Sequence, residues 1–270
     1  MAFRPAAGGC ISNGGELITL NGSYFIKWND TIRYPAMFQA EAGGLRLLAA
    51  HGRLRVPKVI GVVELADVQA IVLEFITSAH RADNFWEQLA EGLAALHRNS
   101  AELFGLDEDN YIGSLKQINT PHQSWVDFFV EQRLETQLAL ACEHGLADNN
   151  LQKKFQLLYR KLPELLPDEP PALLHGDLWI GNVMTDEQGN PCLIDPAVYY
   201  GHREAELAFT RLFGGFDDAF YRAYHHAFPL QPGFETRVTI YNLHPLLVHA
   251  NLFGGGYIQQ VEHLIKPLVR

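Results

Sequence analysis

Residues 173–182 read LLHGDLWIGN, and residues 193–196 read LIDP. An acid, an indole, a glycine and an amide stand together between two apolar segments, and Asp195 follows on a short apolar strand. Asp177 and Asn182 have four residues between them, which with Asp195 gives the D-x4-N…D order of phosphoryl transfer. The chemistry requires this division of labour. The transferred group carries charge that Mg2+ offsets, and hard oxygen ligands such as Asn182 and Asp195 suit Mg2+. The base that takes the proton of the acceptor hydroxyl needs a carboxylate of its own, and Asp177 supplies one. Taken singly, each residue also reads as a turn former: Asp177 and Asn182 lie around Gly181, and Asp195 precedes Pro196.

The segments before this stretch supply what a nucleotide requires. Residues 17–20 and 24–27 flank Asn21-Gly22, a pair suited to a type I′ hairpin. Residues 59–63 and 68–75 make a second, β-branched pair of strands. Between the pairs, Met37, Phe38, Glu41, Leu45 and Leu48 recur at helical spacing. A carboxylate on that apolar face needs a partner, because an unpaired buried charge is costly. Lys27, at the end of a hairpin strand, fits: a lysine held by a helix glutamate orients the α- and β-phosphates of a nucleotide. Gly8-Gly9-Cys10, with Gly14-Gly15 nearby, reads as a loop whose amides approach phosphate. Glu74, Phe75 and Ile76 lie where strand gives way to helix and form the connector whose backbone faces adenine. Residues 1–73 thus make a small lobe, 74–78 a connector and 79–270 a larger lobe.

From Asp83 onward the pattern is helical. Asp83 caps a helix carrying Phe85, Leu89, Leu93 and Leu96, and Ser124 with Asp127 opens a second that reaches about Cys142. A third runs over about 151–162, and helices return at 204–212, 217–226 and, with interruptions, 234–269. The fold class is α+β, an antiparallel-sheet lobe with one helix followed by a mainly helical one. The 270 residues are 47% hydrophobic and 19% charged, enough for a sizeable core. A net charge of −10 argues against a nucleic-acid partner, because phosphate binding needs a basic surface. No run is long enough to span a membrane, and residues 1–5 do not form a signal peptide. Three separated cysteines fit a reducing cytoplasm rather than a disulfide framework, and the 12 scattered histidines show no zinc spacing.

With these segments in view, the whole chain resembles the fructosamine kinases, or ketosamine-3-kinases, within the protein-kinase-like phosphotransferases. The resemblance rests on GGCI at Gly8, YFIK at Tyr24, MFQAEAGGL at Met37, LEFI at Leu73 and DNYIGS at Asp109. It continues through LLHGDLWIGN at Leu173, DPAVYYGHREAELA at Asp195 and LFGGF at Leu212. It implies a two-lobed kinase fold and ATP-dependent phosphorylation of the sugar 3-hydroxyl of ketosamines, giving an unstable product and hence deglycation. By the same resemblance Asp177 is the catalytic base, Asn182 and Asp195 are the Mg2+ ligands, and Lys27 with Glu41 is the phosphate-orienting pair. Gly8 and Gly9 line the nucleotide, and Glu74, Phe75 and Ile76 face adenine.

Two departures stand out. A segment expected before the glycine loop is short here, and Glu206 stands where the family more often has Asp, a carboxylate that braces the catalytic loop's backbone. Trp179, between base and metal ligand, is expected to wall the substrate pocket, with core packing as its alternative. His202, Arg203 and Glu204 are expected either to meet the substrate or to cap a helix. Cys10 in the glycine loop is expected to act as a redox switch or as a small space-filler, so a monomer and a Cys10-linked dimer are both compatible. Gly176, where kinases regulated by activation-loop phosphorylation often carry Arg, implies activity without prior phosphorylation. The expected partner is a ketosamine, on a free amine or on a glycated protein. Competing readings are an aminoglycoside- or choline-type phosphotransferase, a metal hydrolase using His175 and Asp177, and an inactive nucleotide-binding module.

Overall fold

The computed structural model describes residues 1–5 and 12–270. Within them the expected hairpin forms with its turn one residue earlier. Strand β2 (Asn13–Thr19) pairs with β3 (Gly22–Asp30) so that Thr19 faces Gly22, leaving Leu20 and Asn21 as the turn. Neither turn residue has a positive φ, whereas Gly22 has φ 126°, so the turn is not type I′. Thr19 sets this geometry. Its Oγ1 accepts from the Asn21 amide at 3.1 Å and donates to the Gly22 carbonyl at 2.9 Å.

Strands β4 (Val59–Glu64) and β5 (Val68–Glu74) join β3, and β1 (Ala2–Pro5) adds to β2, giving an antiparallel sheet of order β1-β2-β3-β5-β4. Helix α1 (Met37–His51) lays Phe38, Ala42 and Leu45 on Ile71 and Leu73. Burying a Phe or Leu side chain in this way stabilises by about 1.5–3 kcal/mol. The helix therefore sits on the sheet in one rotation, which fixes where Glu41 points.

The first of two compact units contains residues 1–96, 181–197 and 217–227. Besides the sheet and α1 it holds most of α2 (Phe85–His97), a short hairpin formed by Val183–Thr185 and Pro191–Leu193, and the helix Asp218–Ala227. The second unit contains residues 97–180, 198–216 and 228–270. Its expected long helix is a run over 125–143 in which Phe129–Glu135 adopt the wider π form. Ser124 Oγ accepts from the Asp127 amide at 3.3 Å, as the capping pattern predicted. Arg133, fully buried in the π segment, lies 4.0 Å from the Tyr199 ring centroid and donates to Asn119 Oδ1 at 2.7 Å. Two short strands, Ala172–Leu174 and Tyr199–Gly201, pair antiparallel and lead into the loop at Asp177 and the helix Arg203–Leu212. The class is α+β, as the sequence indicated.

Candidate active site

Lys27, Glu41, Asn182 and Asp195 belong to the first unit, and Asp177 and Trp179 to the second. On β3, Lys27 Nζ donates to Glu41 Oε1 at 2.8 Å and to Asp195 Oδ1 at 2.5 Å. The pairing expected from the helix pattern is present, with a second carboxylate that the pattern did not announce. The Lys27 and Glu41 side chains are each 13% exposed. Burial alone would lower the Lys27 pKa, but the flanking Glu41 and Asp195 carboxylates outweigh it and hold the ammonium firmly protonated. Glu41 is pushed up by burial and by Asp195, against the pull of Lys27.

Asn182 closes a single 3-10 turn, Ile180–Asn182, at the entry to the short hairpin, and Asp195 follows its exit. The Ile194 amide donates to the Asn182 carbonyl at 3.1 Å, so the two metal-ligand candidates stand on neighbouring backbone. Asp195 has φ 54°, in the left-handed region that few residues other than glycine, asparagine and aspartate adopt. Both offer oxygen donors suited to Mg2+, which takes one or two protein oxygens and completes its shell with phosphates and water.

At the end of β5, Glu74 does more than present a backbone. Its carboxylate pairs with Arg55 Nη2 at 2.7 Å and accepts from the Lys58 amide at 3.1 Å. Ile76 is buried and Phe75 half-buried. Gly8, Gly9 and Cys10 lie outside the described residues. Of the other cysteines, Cys192 is buried, which pushes its thiol up to about 12, and Cys142 Sγ accepts from Gln152 at 3.0 Å.

In the second unit Glu206 organises the turn before Asp177. It accepts from the His175 amide at 3.2 Å, the Gly176 amide at 2.7 Å and His97 Nε2 at 2.9 Å. Burial would raise the Glu206 pKa; the bond from His97, the charges of His97 and His175 and the Gly176 amide outweigh it and hold the carboxyl below its ordinary value. Gly176 has φ 85°, so the turn needs a residue free to take the left-handed region. His175 is buried and its Nδ1 accepts from the Asp177 amide at 3.3 Å, an arrangement that does not suit a metal ligand open to substrate.

Asp177 lines a cavity of about 30 Å³ together with Tyr199, Glu206, Tyr241, His244 and His249. His244 is held well below its ordinary pKa by burial first and then by the nearby charges of Arg133 and His249. His249 is lowered by burial too, despite a bond to the Pro245 carbonyl. Neutral imidazoles thus face the cavity at neutral pH. Trp179 is 39% exposed and meets Phe213 edge to face at 6.4 Å between ring centroids, so core packing does not explain it.

The trio His202, Arg203 and Glu204, expected to meet the substrate or to cap a helix, is buried. Arg203 grips Glu169 with two bonds of 2.7 and 2.9 Å and lies 3.7 Å from the Phe228 ring centroid. Glu204 is bound by Arg237 at 2.6 Å on both oxygens. The charged ends of both residues are thus bound by partners within the second unit. His202 precedes the helix but gives it no side-chain cap; it is fully buried, stacks on Trp125 and shares a 2.6 Å bond with the Tyr241 hydroxyl. No local pattern signalled Glu169 as the partner of Arg203 or Arg237 as the partner of Glu204, because each pair joins segments more than thirty residues apart.

The profile of fructosamine kinase matches residues 1–270. A Synechocystis protein provisionally named a ketoamine kinase is 42% identical over 270 residues, covering 99% of this chain and 90% of that relative. Ketosamine-3-kinase of Mus musculus is 35% identical, over 99% of this chain and 94% of its own. A Thermobifida fusca crystal structure provisionally named a fructosamine-3-kinase is 33% identical, with a TM-score of 0.90 over 100% of this chain and 94% of that one. A choline/ethanolamine kinase family protein from Mesorhizobium loti, only 14% identical, still matches with a TM-score of 0.62 over 98% of this chain and 88% of its own. That last likeness extends to the protein-kinase-like fold alone. The ion-paired Lys27, the D-x4-N spacing, the Glu206 brace and these relatives agree, and the chain belongs to the fructosamine kinase family.

Proposed function

We propose that this chain is an ATP-dependent kinase acting on the sugar 3-hydroxyl of ketosamines, carried by free amines or by glycated proteins. The observation that supports it best is Lys27 bound to both Glu41 and Asp195, which joins the phosphate-orienting pair to a metal-ligand candidate through one ammonium. The family relatives named for ketoamines and ketosamines supply the acceptor class. Residues 1–73 act as the nucleotide-binding lobe, 74–78 as its connector and 79–270 as the lobe carrying the acceptor site.

In this reading Asp177 accepts the proton of the sugar hydroxyl, in a cavity whose other titratable lining groups include neutral His244 and His249. Asn182 and Asp195 hold Mg2+, which offsets phosphate charge when bound. Lys27, kept protonated by its carboxylates, orients the α- and β-phosphates. Trp179 offers an exposed indole face against which the sugar packs. The residue roles follow from chemistry and motif position together.

ATP consumption with glycated lysine, kanamycin and choline as acceptors tests the assignment. Turnover on glycated lysine alone is expected, with Asp177→Asn lowering kcat by about 10²–10⁴-fold while MgATP still binds. Turnover on kanamycin or choline in place of glycated lysine would reassign the acceptor. MgATP binding without turnover on any acceptor would mark an inactive module.

A further inference from the structure

Arg55 has no part in the chemistry above, yet its guanidinium spans two structures that do. Nη2 donates to Glu74 Oε1 at 2.7 Å, at the head of the connector. Nη1 donates to both Glu187 oxygens at 2.8 Å and to Asp186 Oδ2 at 3.2 Å, in the turn of the short hairpin. The backbone repeats the link: the Leu193 amide donates to the Arg55 carbonyl at 2.8 Å, and the Glu74 amide to the Lys58 carbonyl at 2.8 Å.

The far side of the connector is tied to the same hairpin. Ser78 Oγ donates to the Thr185 carbonyl at 3.0 Å, the Ala79 amide to the Asp186 carbonyl at 3.2 Å and the Ala82 amide to the Gly189 carbonyl at 3.0 Å. A Cβ at Gly189 would meet the His80 carbonyl at 2.8 Å and the Ala82 nitrogen at 2.9 Å, so the approach is as close as backbone permits. Residues 74–82 are therefore fastened at both ends to a hairpin whose entry carries Asn182 and whose exit carries Asp195.

We propose that Arg55 is a positioning residue for the nucleotide: it fixes the adenine-facing edge at Glu74–Ile76 relative to the metal-holding pair Asn182 and Asp195. The inference rests on the kinase reading given above. An isolated exposed ion pair would contribute little. Here one planar fork, 28% exposed, bridges carboxylates on two elements, one of which, Asp186, is 5% exposed. Lysine carries the same charge on a single nitrogen and lacks the two separate donors by which Arg55 meets Glu74 through Nη2 and the Asp186–Glu187 turn through Nη1.

The test uses the full chain with Arg55→Ala and Arg55→Lys. Calorimetry reads the Kd of MgADP, steady-state kinetics the KM of a ketosamine acceptor, and hydrogen exchange the amides of residues 74–82. Arg55→Ala is expected to weaken MgADP by roughly fivefold to tenfold, a loss of about 1–1.4 kcal/mol. Arg55→Lys should recover less than half of that, the acceptor KM should stay within about twofold, and the Ala79 and Ala82 amides should exchange faster. Unchanged MgADP affinity in Arg55→Ala, or full recovery in Arg55→Lys, overturns the proposal. So does a parallel loss of nucleotide and acceptor affinity with a lowered thermal midpoint, which marks a general framework residue. If the parent chain binds no MgADP, the kinase reading fails separately; unchanged exchange at residues 74–82 would then still reject the clamp.

Discussion

Glu206 shows how one side chain sets the conformation of the turn before Asp177. Three donors converge on it, the amides of His175 and Gly176 and the His97 ring, in a fully buried setting. Removing the acceptor deprives the buried His175 amide and His97 ring of this partner, at about 1–3 kcal/mol for each donor left unsatisfied. Glu206→Ala is therefore expected to lower kcat at least about tenfold through loss of Asp177 positioning, which corresponds to about 1.4 kcal/mol in the barrier. The KM for ATP should change little, because Lys27, Asn182 and Asp195 are held by other contacts. Steady-state kinetics alongside thermal unfolding would check this, and a wild-type kcat would remove Glu206 from any positioning role. Gly176 belongs to the same turn. Its φ of 85° disfavours the Arg that phosphorylation-dependent kinases place there, which adds a backbone reason to the absent side chain. Phosphate-free protein from a bacterial host should accordingly be active as isolated. Activity that appears only after treatment with an upstream kinase would contradict this.

At the scale of elements, what was legible in the sequence is what periodicity and local chemistry report. Helix α1 was readable because Phe38, Leu45 and Leu48 share one face, and Glu41 on that face demanded a cation. Lys27 could be named as that cation because a lysine held by a helix glutamate is what a nucleotide's phosphates require, although it lies inside β3 rather than at a strand end. Asp195 as a second partner was not readable, since 168 residues separate it from Lys27 and no local pattern links them. The hairpin turn moved by one residue because a threonine hydroxyl, rather than the Asn-Gly pair, sets its geometry. The π segment at Phe129–Glu135 was hidden because its apolar spacing reads as α-helical. The arrangement around Lys27 changes the expected mutational pattern. Glu41→Ala and Lys27→Ala should both raise the KM for ATP, and the double variant should fall short of their sum by about 0.5 kcal/mol or more. Lys27→Ala should be the more damaging, because it also removes the partner of Asp195. Additive losses, or a Glu41→Ala variant worse than Lys27→Ala, would break the shared-ammonium account.

For the whole molecule, acid sensitivity follows from histidines held neutral in the interior of the second unit. His202 is pulled down to about 4, by burial first and then by the positive charges of Arg203 and Arg237, against the opposing pull of Glu169. His244 and His249 are lowered as well, so the three act in one direction. Between the unfolded value of about 6.5 and the folded value, the unfolded chain binds a proton that the folded chain refuses. Stability is therefore flat in this contribution above about pH 6.5 and falls as pH drops towards 4. His202 alone spans about 2.5 pH units, on the order of 3 kcal/mol when fully expressed. Glu204, raised by burial despite Arg237, takes up its proton earlier in the folded state and offsets part of the loss. Urea unfolding at pH 7.5, 6.5, 5.5 and 5.0 should show a progressive decline below 6.5, and His202→Gln should make the decline shallower. The chain's sequence pI of about 5.6 lowers solubility in this window, so dilute protein and a check of reversibility belong to the measurement. A midpoint independent of pH from 7.5 to 5.0, or an unchanged slope in His202→Gln, would show that these histidines do not carry the acid response.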